Sequence, residues 1–247
     1  MVDLPHNSFT FIPNHHPQAL PGVAMVFSCT KNDELLVPGL LSAFYFCDFF
    51  VAYYDDGTDF SYDESKRHGA LINEAKKHGA KWVYLTQPTV RLSPGWRSLM
   101  ARWLPIERPI IIHSFVQYFW DYSLDTIRTD LTKFLSPCFF RISSQNVFAD
   151  SKLHHVAAPL NGERIHSNLV RYNMNRLGRE VCLAKADYYT AKDGTPHSSL
   201  RDFSGLATIK IDPSTIRGVG SAELEYIERI KQSYLSSYNR KRTGQAS

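Results

Sequence analysis

The chain predicts an α/β fold: a mostly parallel, Rossmann-type sheet flanked by helices, followed by a mixed α+β C-terminal half. Three observations carry this. Apolar runs at 23–28, 49–54 and 81–85 have the length and the aromatic and β-branched content of strands buried on both faces. Two segments with helical spacing lie between them, so strand, helix, strand, helix, strand follow in order, as in right-handed parallel crossover units. The 247 residues, 43% hydrophobic and 21% charged, are enough to bury one full core.

The run at 23–28 follows Pro21-Gly22 and is the first strand. Asn32, Asp33 and Glu34 offer helix-capping chemistry, and Leu35, Leu36, Leu40, Leu41 and Phe44 recur behind them as an apolar face. The second strand, 49–54, ends at Asp55-Asp56-Gly57-Thr58-Asp59. A helix over 62–78 carries Ala70, Leu71, Ile72 and Ala75 and stops at Gly79, and 81–85 is the third strand.

Beyond Pro94-Gly95-Trp96 the pattern becomes mixed. Residues 109–119 read as a strand, 124–135 as a helix, and 139–142 and 147–148 as short strands. A helix is expected over 167–189, carrying Leu169, Tyr172, Leu177, Val181 and Ala184. The last helix, 222–238, repeats Leu224, Ile227, Ile230 and Tyr234 and leads into the basic tail Arg240-Lys241-Arg242. Neither a repeat nor a linker divides the chain, so a single domain over 1–247 is expected.

Composition narrows the class. Net charge is +4, which favours anionic ligands such as phosphates without demonstrating nucleic-acid binding. Cys29, Cys47, Cys138 and Cys182 are widely separated and form no C-x-x-C pair, which points to buried reduced thiols in a cytoplasmic protein and away from zinc. The first 22 residues, rich in Pro, His and Asn, do not have the layout of a secretory signal. The nearly uncharged stretch 35–54 is long enough to span a bilayer, but Pro38-Gly39 and Asp48 interrupt it and its second half is β-rich. A buried helix running into a buried strand is expected, with no transmembrane segment. The basic tail can meet phosphate backbones or the surface of an anionic membrane, or simply keep the chain soluble.

Ligands of open parallel sheets bind beyond the carboxyl ends of the strands. Three loops therefore matter: 29–32, 55–59 and 86–91. In the second, carboxylates can accept hydrogen bonds from a base N–H or from ribose hydroxyls, with Gly57 permitting a tight turn; a solvated Asp-Gly turn is the plainer alternative.

Taken together, Thr30-Lys31-Asn32-Asp33-Glu34, Asp55-Asp56-Gly57-Thr58-Asp59, and Trp82-Val83-Tyr84-Leu85 with Arg91-Leu92-Ser93-Pro94 resemble the family 2-like glycosyltransferases of GT-A fold. Within that family they resemble most the group that includes lipopolysaccharide-core glucosyltransferases. The resemblance covers about the first hundred residues and extends more weakly over 139–189. It implies a nucleotide-binding half at 1–105, an acceptor and catalytic half at 106–220, and a C-terminal helix and tail at 221–247. It also implies a nucleotide-sugar donor, a UDP-sugar above all, held by Thr30, Lys31, Asn32, Asp55, Asp56, Asp59, Gln87, Thr89, Arg91 and His154.

The resemblance breaks at one place. The family ends its third strand in Asp-x-Asp followed by Glu-Arg, and the acidic pair holds Mg²⁺ or Mn²⁺. Here those positions are Gln87, Pro88, Thr89 and Val90, with only Arg91 kept. Hard divalent cations need oxygen ligands, preferably carboxylates, and Gln87 and Thr89 offer one neutral oxygen each. The expectation is therefore an enzyme that requires no metal cofactor, or a relative that has kept the fold as a binding or assembly module.

The second patch bears on that choice. The segment from Phe139-Phe140-Arg141 to His154-His155 resembles the family stretch that ends in a His-Glu pair, where the Glu is the base for the acceptor hydroxyl. His155 falls on the Glu position and titrates near neutrality, so it can act as base, with Asp150 as runner-up. In Ser167-Asn168-Leu169-Val170-Arg171-Tyr172, Arg171 stands where the family has a His close to the metal. A guanidinium there can stabilise the departing diphosphate in place of a cation. The expected reaction is inverting transfer to a hydroxyl of an envelope or lipid-linked glycan, with a modified base in DNA as the lesser alternative acceptor.

Overall fold

The computed structural model describes residues 4–55, 63–130, 135–149 and 158–242. Its order opens with β1 (Phe9–Pro13) and β2 (Leu20–Cys29), then a 3-10 turn at Lys31–Leu36 that continues into α1 (Val37–Ala43). Next come β3 (Cys47–Tyr54), α2 (Glu64–Lys77), β4 (Trp82–Thr86), β5 (Val90–Leu92) and α3 (Trp96–Trp103). The second half holds β6 (Ile110–Phe119), β7 (Thr126–Arg128), β8 (Leu135–Arg141), β9 (Glu163–Asn173), α4 (Arg179–Asp193), β10 (Thr208–Lys210) and α5 (Ser221–Arg242).

The α/β class holds, as one mixed sheet. Its strand order is β1-β3-β2-β4-β8-β6-β7-β10, with β9 pairing both β5 and β6. Among the described residues, β2–β3, β2–β4 and β6–β9 are parallel and every other pairing is antiparallel. The expectation of a mostly parallel sheet is thus met at its centre, β3-β2-β4, and otherwise only between β6 and β9. That centre is where apolar runs alternate with helices, and crossover helices are what bring strands back parallel.

The sequence of β2 explains its position. Val23, Met25 and Phe27 face one layer, with Trp82, Tyr84 and Phe139 beside them, while Ala24 and Val26 face the other with Val51, Val83 and Phe140. α1 and α3 cover the first layer through Leu40 and Met100; α2 covers the second through Leu71, Ile72 and Ala75. Each such apolar side chain stabilises the fold by roughly 1.5–3 kcal/mol when fully buried. A third cluster, with Phe119, Ile127, Leu177, Val181 and Ile227, fastens α4 and α5 to the far end of the sheet.

α2 begins where expected, because the Asp63 carboxylate accepts a hydrogen bond from the Lys66 amide at 3.1 Å. It is followed by Gly79 at φ +85°, a backbone angle that favours glycine.

Two expected helices are corrected. Residues 124–135 contain β7 and the start of β8, because Thr126 and Ile127 are β-branched and pair with β10 and the end of β6. Residues 167–189 divide into the end of β9 and α4, with Gly178 at the entrance to the helix. The helical spacing of Leu169 and Tyr172 is coincidental on a strand zipped between β5 and β6. Residues 147–148 form no strand, whereas β1, β5 and α3 are additions to the elements expected from the sequence. The stretch 35–54 is α1 followed by β3, and no described helix is long and apolar enough to cross a membrane. All four cysteines are buried and unpaired.

Candidate functional site

The carboxyl ends of β2, β3 and β4 open into two adjoining cavities of about 190 and 260 Å³. Ser28, Arg67, Gln87 and Asn175 border both, so the two form one crevice with two chambers. The first chamber is lined by Thr30, Asp33, Asp55, Pro88 and Thr89, and the second by Glu64, His68, Tyr84, Thr86, Arg171 and Asn173.

In the first chamber the loop after β2 is fixed by its own side chains. The Thr30 hydroxyl donates to Asp33 Oδ2 at 2.8 Å, and the Thr30 amide donates to the same oxygen at 3.3 Å. Lys31 and Asn32 lie on this loop and line neither chamber. Asp55 is buried at the tip of β3, where its amide donates to the Cys29 carbonyl at 2.9 Å. Its carboxylate accepts from Arg67 Nη1 at 2.5 Å.

Arg67 is not among the residues the sequence singles out. The available signal is a cation one turn into a helix capped by Asp63, which places it against the preceding strand tip. Its Nε is buried without a hydrogen-bond acceptor, and so is the Thr89 hydroxyl in the same chamber. Two orphaned donors bordering one cavity are polar groups that a bound ligand can satisfy.

The second chamber contains Arg171, carried on β9 between Leu92 of β5 and Val116 of β6. Arg171 is buried, and its Nε donates to the Ser114 hydroxyl at 2.7 Å, Nη1 to the Tyr84 hydroxyl at 3.1 Å and Nη2 to the Ser136 carbonyl at 2.9 Å. Every one of these partners is neutral, and Arg171 has no carboxylate partner among the described residues. A guanidinium has five N–H donors, so two remain for a ligand. Burial works against the Arg171 cation, and its hydrogen bond to the Tyr84 hydroxyl works for it. Burial also pushes the Tyr84 phenol up, so it stays protonated.

Arg91, expected among the residues that hold the nucleotide-sugar, is elsewhere. It is fully buried and donates to the carbonyls of Pro88 (2.6 Å), Val90 (2.7 Å), Leu36 (3.0 Å) and Gly218 (2.7 Å), and to Glu223 Oε1 at 2.5 Å. All five donors are spent inside the protein, so Arg91 ties β5 to α1 and α5 and borders neither chamber. The sequence alone does not distinguish an arginine that faces a ligand from one that staples a core.

Gln87 and Thr89 both border the crevice, on the turn between β4 and β5. Gln87 Oε1 accepts from Asn175 Nδ2 at 2.8 Å. Asn175 is fixed in turn, its carbonyl accepting from Lys185 Nζ at 2.8 Å and its amide donating to Asn173 Oδ1 at 2.7 Å. Burial pushes the Lys185 ammonium down to about 8, and the Cys182 thiol and Asp33 carboxylate hold it from falling further. Asn173, Asn175 and Lys185 are new members of the site, hidden in the sequence because they lie where a helix is expected.

Gln87 and Thr89 are neutral, Asp55 is tied to Arg67, and Asp33 is engaged by Thr30. Among the described residues no three His, Cys, Asp or Glu side chains converge as ligands. Asp56, Asp59, Asp150, His154 and His155 lie outside the described residues. A comparison with known families finds no matching family model, and no curated protein matches the sequence.

Proposed function

We propose that the chain is a glycosyltransferase of GT-A-like fold that moves a sugar from a nucleotide-sugar, a UDP-sugar first of all, to an acceptor hydroxyl without a bound metal. One observation carries the reading: a buried guanidinium, Arg171, lines the crevice beyond the strand tips with neutral partners and two donors to spare. A cation buried without a counter-charge is costly, and an anionic ligand offsets that cost. The parallel centre β3-β2-β4, with the crevice at its carboxyl end, agrees with the order expected of such enzymes.

In this reading Thr30 and Asp55 hold the nucleoside, with Arg67 orienting the Asp55 carboxylate. Arg171 takes the diphosphate and stabilises the charge that develops on it as the glycosidic bond breaks. The base that receives the acceptor proton is His155, with Asp150 the alternative, both assigned by resemblance. The electron pair of the acceptor oxygen forms the new bond to the anomeric carbon while the diphosphate leaves, which inverts the centre. The acceptor in this reading is an envelope or lipid-linked glycan.

A second reading rests on the β4 tip: with Gln87 and Thr89 in place of an acidic pair, the fold can bind a nucleotide and do nothing more. Turnover of UDP-sugars with and without EDTA separates the two. Chelator-resistant hydrolysis or transfer supports the enzyme, nucleotide binding without turnover supports the binding module, and no binding of any nucleoside diphosphate overturns both.

A further inference from the structure

The two chambers meet at a pair of carboxamides. Gln87 projects from the β4–β5 turn and Asn175 from the chain just beyond β9, and they join at 2.8 Å across the crevice. Both arms are held in place. The Gln87 carbonyl accepts from the Val90 amide at 3.1 Å, and the Met174 amide donates to the Thr89 carbonyl at 3.1 Å, zipping the two segments together. Lys185 and Asn173 fix the Asn175 backbone from the other side.

We propose that Gln87 and Asn175 are the sugar-reading residues of the crevice, recognising a pair of adjacent hydroxyls on the donor sugar by their orientation. The proposal rests on the nucleotide-sugar reading above and assigns the sugar, a part of the ligand that reading leaves without a partner.

One hydrogen bond uses Gln87 Oε1 and one N–H of Asn175. That leaves both N–H groups of Gln87, the second N–H of Asn175 and Asn175 Oδ1, none bonded to another side chain among the described residues. Donors and an acceptor are thereby fixed side by side at the junction of the chambers. Each hydroxyl of a diol both donates and accepts, so two neighbouring hydroxyls complement such an edge in one relative orientation and miss it in the other. The surroundings suit a sugar as well. Asn173, His68 and Glu64 line the second chamber with hydrogen-bonding groups, and Arg171 and Arg67 are cations there for the phosphate. Two neutral side chains between the tip of β4 and the end of β9 have no charge to offer a diphosphate, but their amides are well matched to hydroxyls.

Calorimetric titration of the full chain with UDP, UDP-glucose and UDP-galactose provides the test. The intact protein is expected to bind one UDP-hexose at least about tenfold more tightly than UDP, the equivalent of two modest hydrogen bonds. In Gln87→Ala/Asn175→Ala that ratio falls to about one and the two epimers bind alike. Arg171→Met weakens UDP and UDP-hexose in step and keeps the ratio. A ratio that persists in the double variant, or that is already one in the intact protein, overturns the assignment. If the intact protein binds neither UDP nor a UDP-hexose, the nucleotide-sugar reading itself has failed, a result distinct from loss of the ratio.

Discussion

Glu223, in the first turn of α5, accepts a hydrogen bond from Arg91 at 2.5 Å across 132 positions of sequence. Its second oxygen accepts from the Gly220 amide at 2.8 Å, so the carboxylate also caps the helix. Both side chains are buried. Removing one partner of such a pair strands a charge, so Glu223→Ala should destabilise the protein by about 3–5 kcal/mol, read as a shift in its urea midpoint. An unchanged midpoint would show that Arg91 is satisfied by the four carbonyls alone.

Arg171 differs from Arg91 in having no counter-charge among the described residues, and its replacement should act on binding. Charge-assisted hydrogen bonds contribute about 1.5–3 kcal/mol each, so Arg171→Met should weaken UDP by about a hundredfold. Calorimetry on the variant checks this, with circular dichroism confirming that it is folded. Retained affinity would place the diphosphate elsewhere.

The segment that carries Arg91's acceptors is sterically tight. Gly218 has φ +78°, and a Cβ there would collide with the Gly39 carbonyl and crowd the Arg91 side chain. Gly218→Ala should therefore cost at least about 2 kcal/mol, from the strained backbone and the displaced carbonyl that Arg91 Nε uses. Thermal unfolding measures it, with Gly69→Ala as the contrasting control, since nothing lies within 4 Å of a Cβ at that position.

Lys185 gives the protein a specific response to pH. Its folded-state pKa is pushed down to about 8 by burial, whereas a lysine in the unfolded chain titrates near 10.4. Between those values the unfolded chain binds more protons, so this group's contribution to stability rises with pH from about 8 to about 10. Below about 8 its destabilising effect is fully present. Melting temperatures from pH 7 to 10 should climb less, or fall further, in Lys185→Met than in the intact chain. Parallel curves would show that the amine titrates normally.

The sequence is most informative where the chain is most regular. Strands at 49–54 and 81–85 are legible because both faces are buried, and the helix at 62–78 because Leu71, Ile72 and Ala75 mark its apolar face and Gly79 stops it. β1 is hidden because it is an edge strand whose alternate residues face outward in a segment rich in Pro, His and Asn. β9 passes for a helix because a half-buried strand between two others can mimic helical spacing over a few residues.

The site is legible in outline only. Thr30, Asp55, Gln87 and Thr89 border one crevice because each follows a parallel strand, whereas Arg171 borders it from within β9. Asn173 and Asn175 are invisible in the sequence because they lie where a helix is expected, and Arg67 is marked only by its place one turn into α2. Arg91 shows the opposite error: only its tertiary partners reveal that an arginine expected in the site serves the scaffold.

The distance in sequence between Arg91 and its carboxylate also limits how the molecule can be dissected. A fragment of residues 1–105 would contain most of the first chamber's lining and still lack the anion that pairs with its own buried Arg91. Synthesised from the amino end, the chain must carry that guanidinium unmatched until α5 docks. The halves are therefore partners in one cooperative unit, and co-expressing them as separate pieces should rescue solubility only when the second piece includes Glu223.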